Sequence, residues 1–223
     1  MAKKKKAQET KIYEINVERN DQILPMKYNG PNTVNEIVKN SNHFFEIHML
    51  DDISKLPYRR GICMDIGANV GNHTVFFSRF CNFDEVWAYE PDKGSFDLLK
   101  ENVENNCKRT VRLFNCAIGA EKKEVKMTNN KENPCINKVT TGQGKTLMLP
   151  ITTNLKVALM KIDVEGHELE VIKGAYDVID RERPELFIET HGDYKELLNA
   201  LPKGYRMVRR FNNSPTFFFT CKK

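Results

Sequence analysis

Along the chain, short apolar runs alternate with segments whose apolar residues recur every three or four positions. ICMDI (62–66), EVWAYE (85–90), VRLFNCAI (111–118), VALMKID (157–163) and LFIET (186–190) read as strands. The first is nearly all apolar, as a strand buried on both faces should be. Between them, residues 75–80, then Phe96, Leu99 and Val103, then Leu169, Ile172, Ala175 and Ile179, and finally Tyr194, Leu197, Leu198 and Leu201 fall at helical spacing. YRMVRRF (205–211) and TFFFTC (216–221) are separated by NNSP, a turn short enough only for antiparallel strands. The pattern predicts five parallel βα units closed by a hairpin. This is a doubly wound, mostly parallel seven-stranded α/β sheet whose ligand crevice lies at the carboxyl ends of the strands.

Two regions are less regular. Residues 11–30 carry no clear period. A helix is predicted from Thr33, whose hydroxyl would cap while Glu36 closes a capping box, and a second over 42–53. These divide the chain into a tail (1–12), an N-terminal helical cover (13–55) and a core (56–223). The polar stretch 120–145 reads as a hairpin or long loop.

Composition adds little until it is located. The net charge is +5, with 40% hydrophobic and 29% charged residues. Four lysines and one glutamate in residues 1–10 supply three of those five charges. The rest is near neutral, which disfavours nucleic acid as a partner and makes residues 3–6 a solvated arm. No apolar run is long enough to span a bilayer. Six cysteines (63, 81, 107, 116, 135, 221) form no C-x-x-C pair, so reduced thiols in a cytoplasmic protein are expected.

The strongest local signal is Asp65-Ile-Gly67-Ala-Asn69-Val-Gly71, directly after the first buried strand and opening a helix. Glycine at a strand end permits close approach to the backbone, and the next helix turn presents free N–H groups to an anion. Glu90, at the end of the following strand, is placed to accept hydrogen bonds from the two hydroxyls of a ribose. A nucleoside-containing cofactor follows. A nicotinamide site would show G-x-G-x-x-G, whereas A-N-V separates the two glycines here. A carboxylate at Asp65 suits the ammonium of a methionine moiety and would repel a pyrophosphate.

D-I-G-A-N-V-G-N (65–72), Y-E-P-D (89–92) and L-M-K-I-D-V-E-G-H-E (159–168) together resemble the FkbM family of S-adenosylmethionine-dependent O-methyltransferases, over roughly residues 44–190. That resemblance implies the Rossmann-like class I methyltransferase fold and S-adenosylmethionine as cofactor. It implies that Asp65, Gly67, Asn69 and Gly71 hold the methionine end and Glu90 the ribose. Asn115, Cys116 and Ala117 would flank the adenine, with Asn72, Pro91 and Asp163 completing the set. Residues 119–156 depart from the family pattern, which leaves the acceptor pocket undetermined.

For the chemistry, Asp163, Glu165 and His191 should converge past the fourth and fifth strands. An imidazole titrates near neutral pH, so His191 is the candidate base and Asp163 its orienting partner or substitute. Glu165 either supports the site or caps the helix near Gly166. His167 and Glu168 read as surface residues, and His43, His48 and His73 as local hydrogen-bonding groups. A divalent ion, Mg²⁺ or Mn²⁺, is not expected, although Asp163, Glu165 and His191 could hold one. The resemblance points to a hydroxyl of a sugar, glycan or sugar-bearing small molecule as acceptor. An RNA methyltransferase, or a non-catalytic cofactor-binding scaffold, are the alternatives. An N/D-P-P-Y/F motif of base-directed amino-methyltransferases is absent, since Asp163-Val-Glu165-Gly166 stands in its place.

Overall fold

A computed structural model describes residues 11–30, 32–57, 60–128, 130, 137–140, 142, 144–211 and 215–221. The lysine arm, Cys135 and most of the turn before residue 216 lie outside the described residues.

The irregular N-terminal region is a β-hairpin, β1 (Ile12–Arg19) and β2 (Gln22–Asn29), paired antiparallel through Arg19↔Gln22. Its two-residue turn places both Asn20 and Asp21 at positive φ, the conformation whose twist matches flanking strands. One face of the hairpin is apolar: Val17, Leu24, Met26 and Tyr28 are buried. The segment 13–55 is therefore hairpin first and helical only afterwards.

α1 (Thr33–Ser41) is capped by Asn32, whose Oδ1 accepts from Asn35 N at 2.8 Å, so the cap lies one residue before the expected Thr33. It ends on Asn42 in the left-handed region, whose N–H returns to the Val38 carbonyl. That stop moves the start of the next helix, α2 (Ile47–Lys55), five residues beyond the expected 42.

The core then runs β3 (Ile62–Ile66), α3 (Asn72–Phe80), β4 (Glu85–Tyr89), α4 (Lys93–Asn106) and β5 (Val111–Phe114). The expected third strand is split, because residues after Phe114 leave the sheet. β6 (Ala117–Ile118), β7 (Lys123–Met127), β8 (Val139–Thr140) and β9 (Thr146–Leu149) build a four-stranded sheet of their own, ordered β6-β9-β7-β8, where a loop or hairpin was expected.

β10 (Val157–Ile162) returns to the main sheet and is followed by two helices, α5 (Glu168–Gly174) and α6 (Tyr176–Glu182), rather than one. The break has a local cause. Ile151 N takes the Gly174 carbonyl at 2.9 Å, and a Cβ on Gly174 would lie 2.2 Å from the Gly119 carbonyl oxygen. Leu169 falls on the exposed side of α5. β11 (Glu185–Glu189), α7 (Tyr194–Ala200), β12 (Tyr205–Arg210) and β13 (Thr216–Cys221) complete the chain.

The large sheet has seven strands in the order β12-β13-β11-β10-β3-β4-β5. It is mixed: β13 runs antiparallel to both neighbours, while β5, β4, β3, β10 and β11 are parallel. Its two faces bury separate cores. Phe76 and Phe77 of α3 meet the hairpin residues Val17 and Met26 on one, and Val171, Ile172 and Ile179 cover β10 on the other.

The hairpin is fastened to the core by asparagines. Asn102, 1% exposed, accepts from Lys27 N at 2.7 Å and donates to the carbonyls of Lys27 and Val70 at 2.8 Å each. Asn106 donates to Pro25 O at 2.9 Å. Among the described residues no helix is long and apolar enough to cross a membrane. The five described cysteines are free thiols.

Candidate functional site

The pairing register dictates what meets at the carboxyl edge of the sheet. Ile66 pairs with Tyr89 and with Ile162, and Ile162 with Ile188. One residue further along, Glu90, Gly67, Asp163 and Glu189 therefore form the next rung. Two residues back from Gly67, Asp65 pairs with Lys161. A cavity of about 330 Å³ opens over this edge.

The glycine loop is shaped by chain packing. Gly67 has φ +83°, and a Cβ there would fall 1.8 Å from the Asp163 carbonyl oxygen. Gly71, with φ +89°, caps α3, and its Cβ would meet Leu99 at 2.7 Å. Both glycines thus answer to their positive φ and their neighbours in the chain, and Gly67 also lines the cavity.

Glu90 lines the cavity and is 7% exposed. Oε2 accepts from Asn69 N at 2.8 Å and Oε1 from Asp92 N at 2.7 Å, so the carboxylate is held in one orientation. Burial pushes its pKa up to about 8, against those two N–H bonds. Asn69 stands in the left-handed region at φ 51°, and its buried Oδ1 has no hydrogen-bond partner among the described residues. Pro91, Asp92, Cys116, Ala117 and Ile118 continue the wall, which Met127 and Val139 of the small sheet and the nearby Asn137 extend.

Three expected cofactor residues have partners within the chain. Asp65 is 0% exposed and is absent from the cavity wall; its Oδ2 accepts from Thr74 Oγ1 at 2.5 Å. Burial raises its pKa, opposed by the Lys161 charge. Asn115 is exposed and ties the Glu90 carbonyl at 2.8 Å. Asn72 does line the cavity, but Tyr28 Oη and Phe45 N both donate to its Oδ1 at 3.1 Å, which docks the N-terminal segment onto α3.

At the other end stand ionisable groups of which the strand pattern singled out only Asp163 and Glu165. Lys161 is 2% exposed and donates to Asp163 Oδ2 at 2.8 Å. Burial alone would lower its pKa, but Asp163, Asp65 and Glu46 outweigh it and keep the ammonium charged. Glu189 lines the cavity, and burial with repulsion from Asp163 pushes its pKa up to about 8. Glu165 sits at φ 53° in the loop after β10, half-buried, its pKa raised by burial and Asp163 and lowered by His191. Glu46 lies 3.3 Å from His73 Nε2, and burial holds that imidazole neutral.

The expected trio is only partly in the cavity wall. Asp163 and Glu165 line the cavity, whereas His191 is exposed and outside the wall, near enough to Glu165 to favour that carboxylate's ionised form. Glu168, expected at the surface, is 6% exposed and accepts from Gly166 N at 2.7 Å, the capping role considered for Glu165. His167 is half-buried and lines the cavity. Among the described residues no three His, Cys, Asp or Glu side chains are gathered to hold a metal ion.

A signal for Glu189 was present in the sequence. It occupies in LFIET the strand-end position that Asp163 occupies in VALMKID.

The Methyltransferase FkbM domain family model matches residues 146–208, from β9 into β12. Among curated proteins, the chain is 30% identical over 124 residues to Hexuronic acid methyltransferase AglP of Haloferax volcanii, covering 51% of this chain and 49% of that protein. It is 26% identical over 183 residues to Methyltransferase 1 of Beauveria bassiana, covering 65% and 72%. The chain thus spans about half the length of the first of these relatives.

Among solved structures, the methyltransferase FkbM from Methylobacillus flagellatus KT superposes with a TM-score of 0.51 at 17% identity, covering 86% of this chain and 56% of that one. An rRNA methylase from Streptococcus thermophilus gives 0.50 at 13% identity, covering 79% and 95%. At such identities these two establish the fold. The resemblance to FkbM methyltransferases drawn from the three motifs holds.

Proposed function

We propose that this protein transfers a methyl group from S-adenosylmethionine to a hydroxyl of a sugar or sugar-bearing small molecule. The observation that carries the cofactor half is Glu90. A buried carboxylate fixed by two backbone N–H groups at a strand end is a preset acceptor for a pair of vicinal hydroxyls. The cavity falls at the lower end of the roughly 300–1,000 Å³ range of small-molecule sites, and its wall of Cys116, Ala117 and Ile118 suits a flat base. Asn69 Oδ1 is a buried acceptor available to an ammonium.

The bound cofactor supplies an electrophilic methyl group on a positively charged sulfur. Glu90 anchors the ribose end, and the Lys161–Asp163 pair fixes the polar floor where the acceptor enters. Positioning of that kind supplies much of the rate in a displacement. The acceptor half rests on the FkbM resemblance and on the named activity of the Haloferax relative. The free thiols go with a reducing compartment such as the cytoplasm.

Calorimetry with S-adenosylmethionine and NAD tests the cofactor. Production of S-adenosylhomocysteine against neutral glycosides, uronates and RNA tests the acceptor. Methylation of RNA but of no sugar would overturn the acceptor class and leave the cofactor reading standing.

A further inference from the structure

We propose that Glu189 is the catalytic residue that receives the acceptor's proton, an assignment that rests on the cofactor reading above. The geometry comes from the sheet. Glu189 shares a rung with Asp163 and Glu90 along the carboxyl edge, so its side chain stands on the same face and lines the same cavity. With Glu90 at the ribose end and two strands between them, Glu189 lies on the side where an acceptor meets the methyl donor. It belongs to a strand of the main sheet and is braced by pairing with Thr216 of β13. That gives it the fixed position a base requires. His191, two residues on, is exposed and outside the wall.

The groups facing Glu189 are Lys161 on β10, Asp163 and Glu165 just after it, and Glu46 at the start of α2. Asp163 is occupied by Lys161 at 2.8 Å. Glu189 makes no such ion pair among the described residues, and the surrounding carboxylates together with burial raise its basicity above that of an ordinary glutamate. In the step assigned to it, the acceptor oxygen forms a bond to the methyl carbon as the carbon–sulfur bond breaks. That bond's electron pair goes to sulfur, and the hydroxyl proton goes to Glu189. A sulfonium, a hydroxyl and a carboxylate become a thioether, a methyl ether and a carboxylic acid.

The test needs no known acceptor. A carboxylate beside the sulfonium favours S-adenosylmethionine over S-adenosylhomocysteine, whose sulfur is uncharged. Calorimetry at about pH 9, where a glutamate of raised pKa is ionised, should show that preference fall about tenfold in Glu189→Gln and survive in Glu189→Asp. If the glutamine variant does not fold, Glu189→Ala replaces it: the parent's preference should grow between about pH 6 and 9, and the variant should flatten that growth. An unchanged preference in the variant, or a parent preference flat with pH, overturns the proposal. Failure of both ligands to bind the parent would instead overturn the cofactor reading.

Where a neutral methyl glycoside serves as acceptor, Glu189→Gln should lower kcat by about 10²–10⁴-fold with little change in KM. A rate within about threefold of the parent's would also overturn the assignment.

Discussion

Replacing Glu90 by alanine is the most direct test of the cofactor site. In the free protein its two oxygens accept from Asn69 N and Asp92 N at 2.8 and 2.7 Å. Truncation removes the acceptor for both N–H groups and for the ribose hydroxyls. Water refills the space and serves the backbone donors, so the loss is smaller than the bonds counted singly. A hydrogen bond to a charged group contributes about 1.5–3 kcal/mol, and a net loss in that range weakens binding roughly 10- to 150-fold.

Protonation sharpens the test. Burial holds the free carboxyl at a pKa of about 8, so near neutrality it is mostly protonated. Two donating hydroxyls favour the ionised form, so S-adenosylmethionine should release a proton on binding, and its affinity should rise as pH increases toward 8. The sign for stability is opposite. A carboxyl whose folded pKa is raised contributes stability below its unfolded pKa and loses it as pH rises through the folded value. The ligand-free protein should therefore lose stability on going from about pH 5 to 8, and Glu90→Gln should flatten that slope. Calorimetry in two buffers of different ionisation enthalpy reads the proton directly. A dissociation constant within about twofold of the parent's in the alanine variant, or no proton release by the parent, would refute the reasoning.

Three further outcomes follow from packing and exposure. Gly67→Ala should cost about 3 kcal/mol or more, read as a fall in thermal midpoint, because its Cβ meets the Asp163 carbonyl at 1.8 Å and its φ is +83°. Asn102→Ala should cost about 2–4 kcal/mol in denaturant unfolding, since it strands a buried donor and two acceptors that join β2 and the glycine loop to α4. His191→Ala should leave methyl transfer within about fivefold of the parent, against the 10²–10⁴-fold loss expected of a base, because the imidazole is exposed and outside the cavity wall.

What the sequence shows of the fold is what repeats with a period. Strands buried on both faces, such as ICMDI, announce themselves by apolar content, and their order places the glycine loop and Glu90 at one edge. The hairpin at 12–29 escaped the sequence reading: alternation at Ile15 and Val17 and the Asn20-Asp21 pair mark it, but its polar positions blur the period. The small sheet was not legible. β6 and β8 have two residues each, too few to alternate, and their pairing with β7 and β9 is fixed by long-range contacts.

The site divides in the same way. Glu90 follows from a strand end that the pattern locates. Asp65 lies inside β3, two residues short of the edge, a depth the pattern does not reveal. There its side chain turns into the buried layer shared with Lys161 and Thr74. His191 and Glu189 show how narrow the margin is. Both belong to the same strand end, and a shift of two residues separates an exposed imidazole from a carboxylate in the cavity wall. Residue type favours the histidine, and the rung of the sheet on which a side chain stands favours the glutamate.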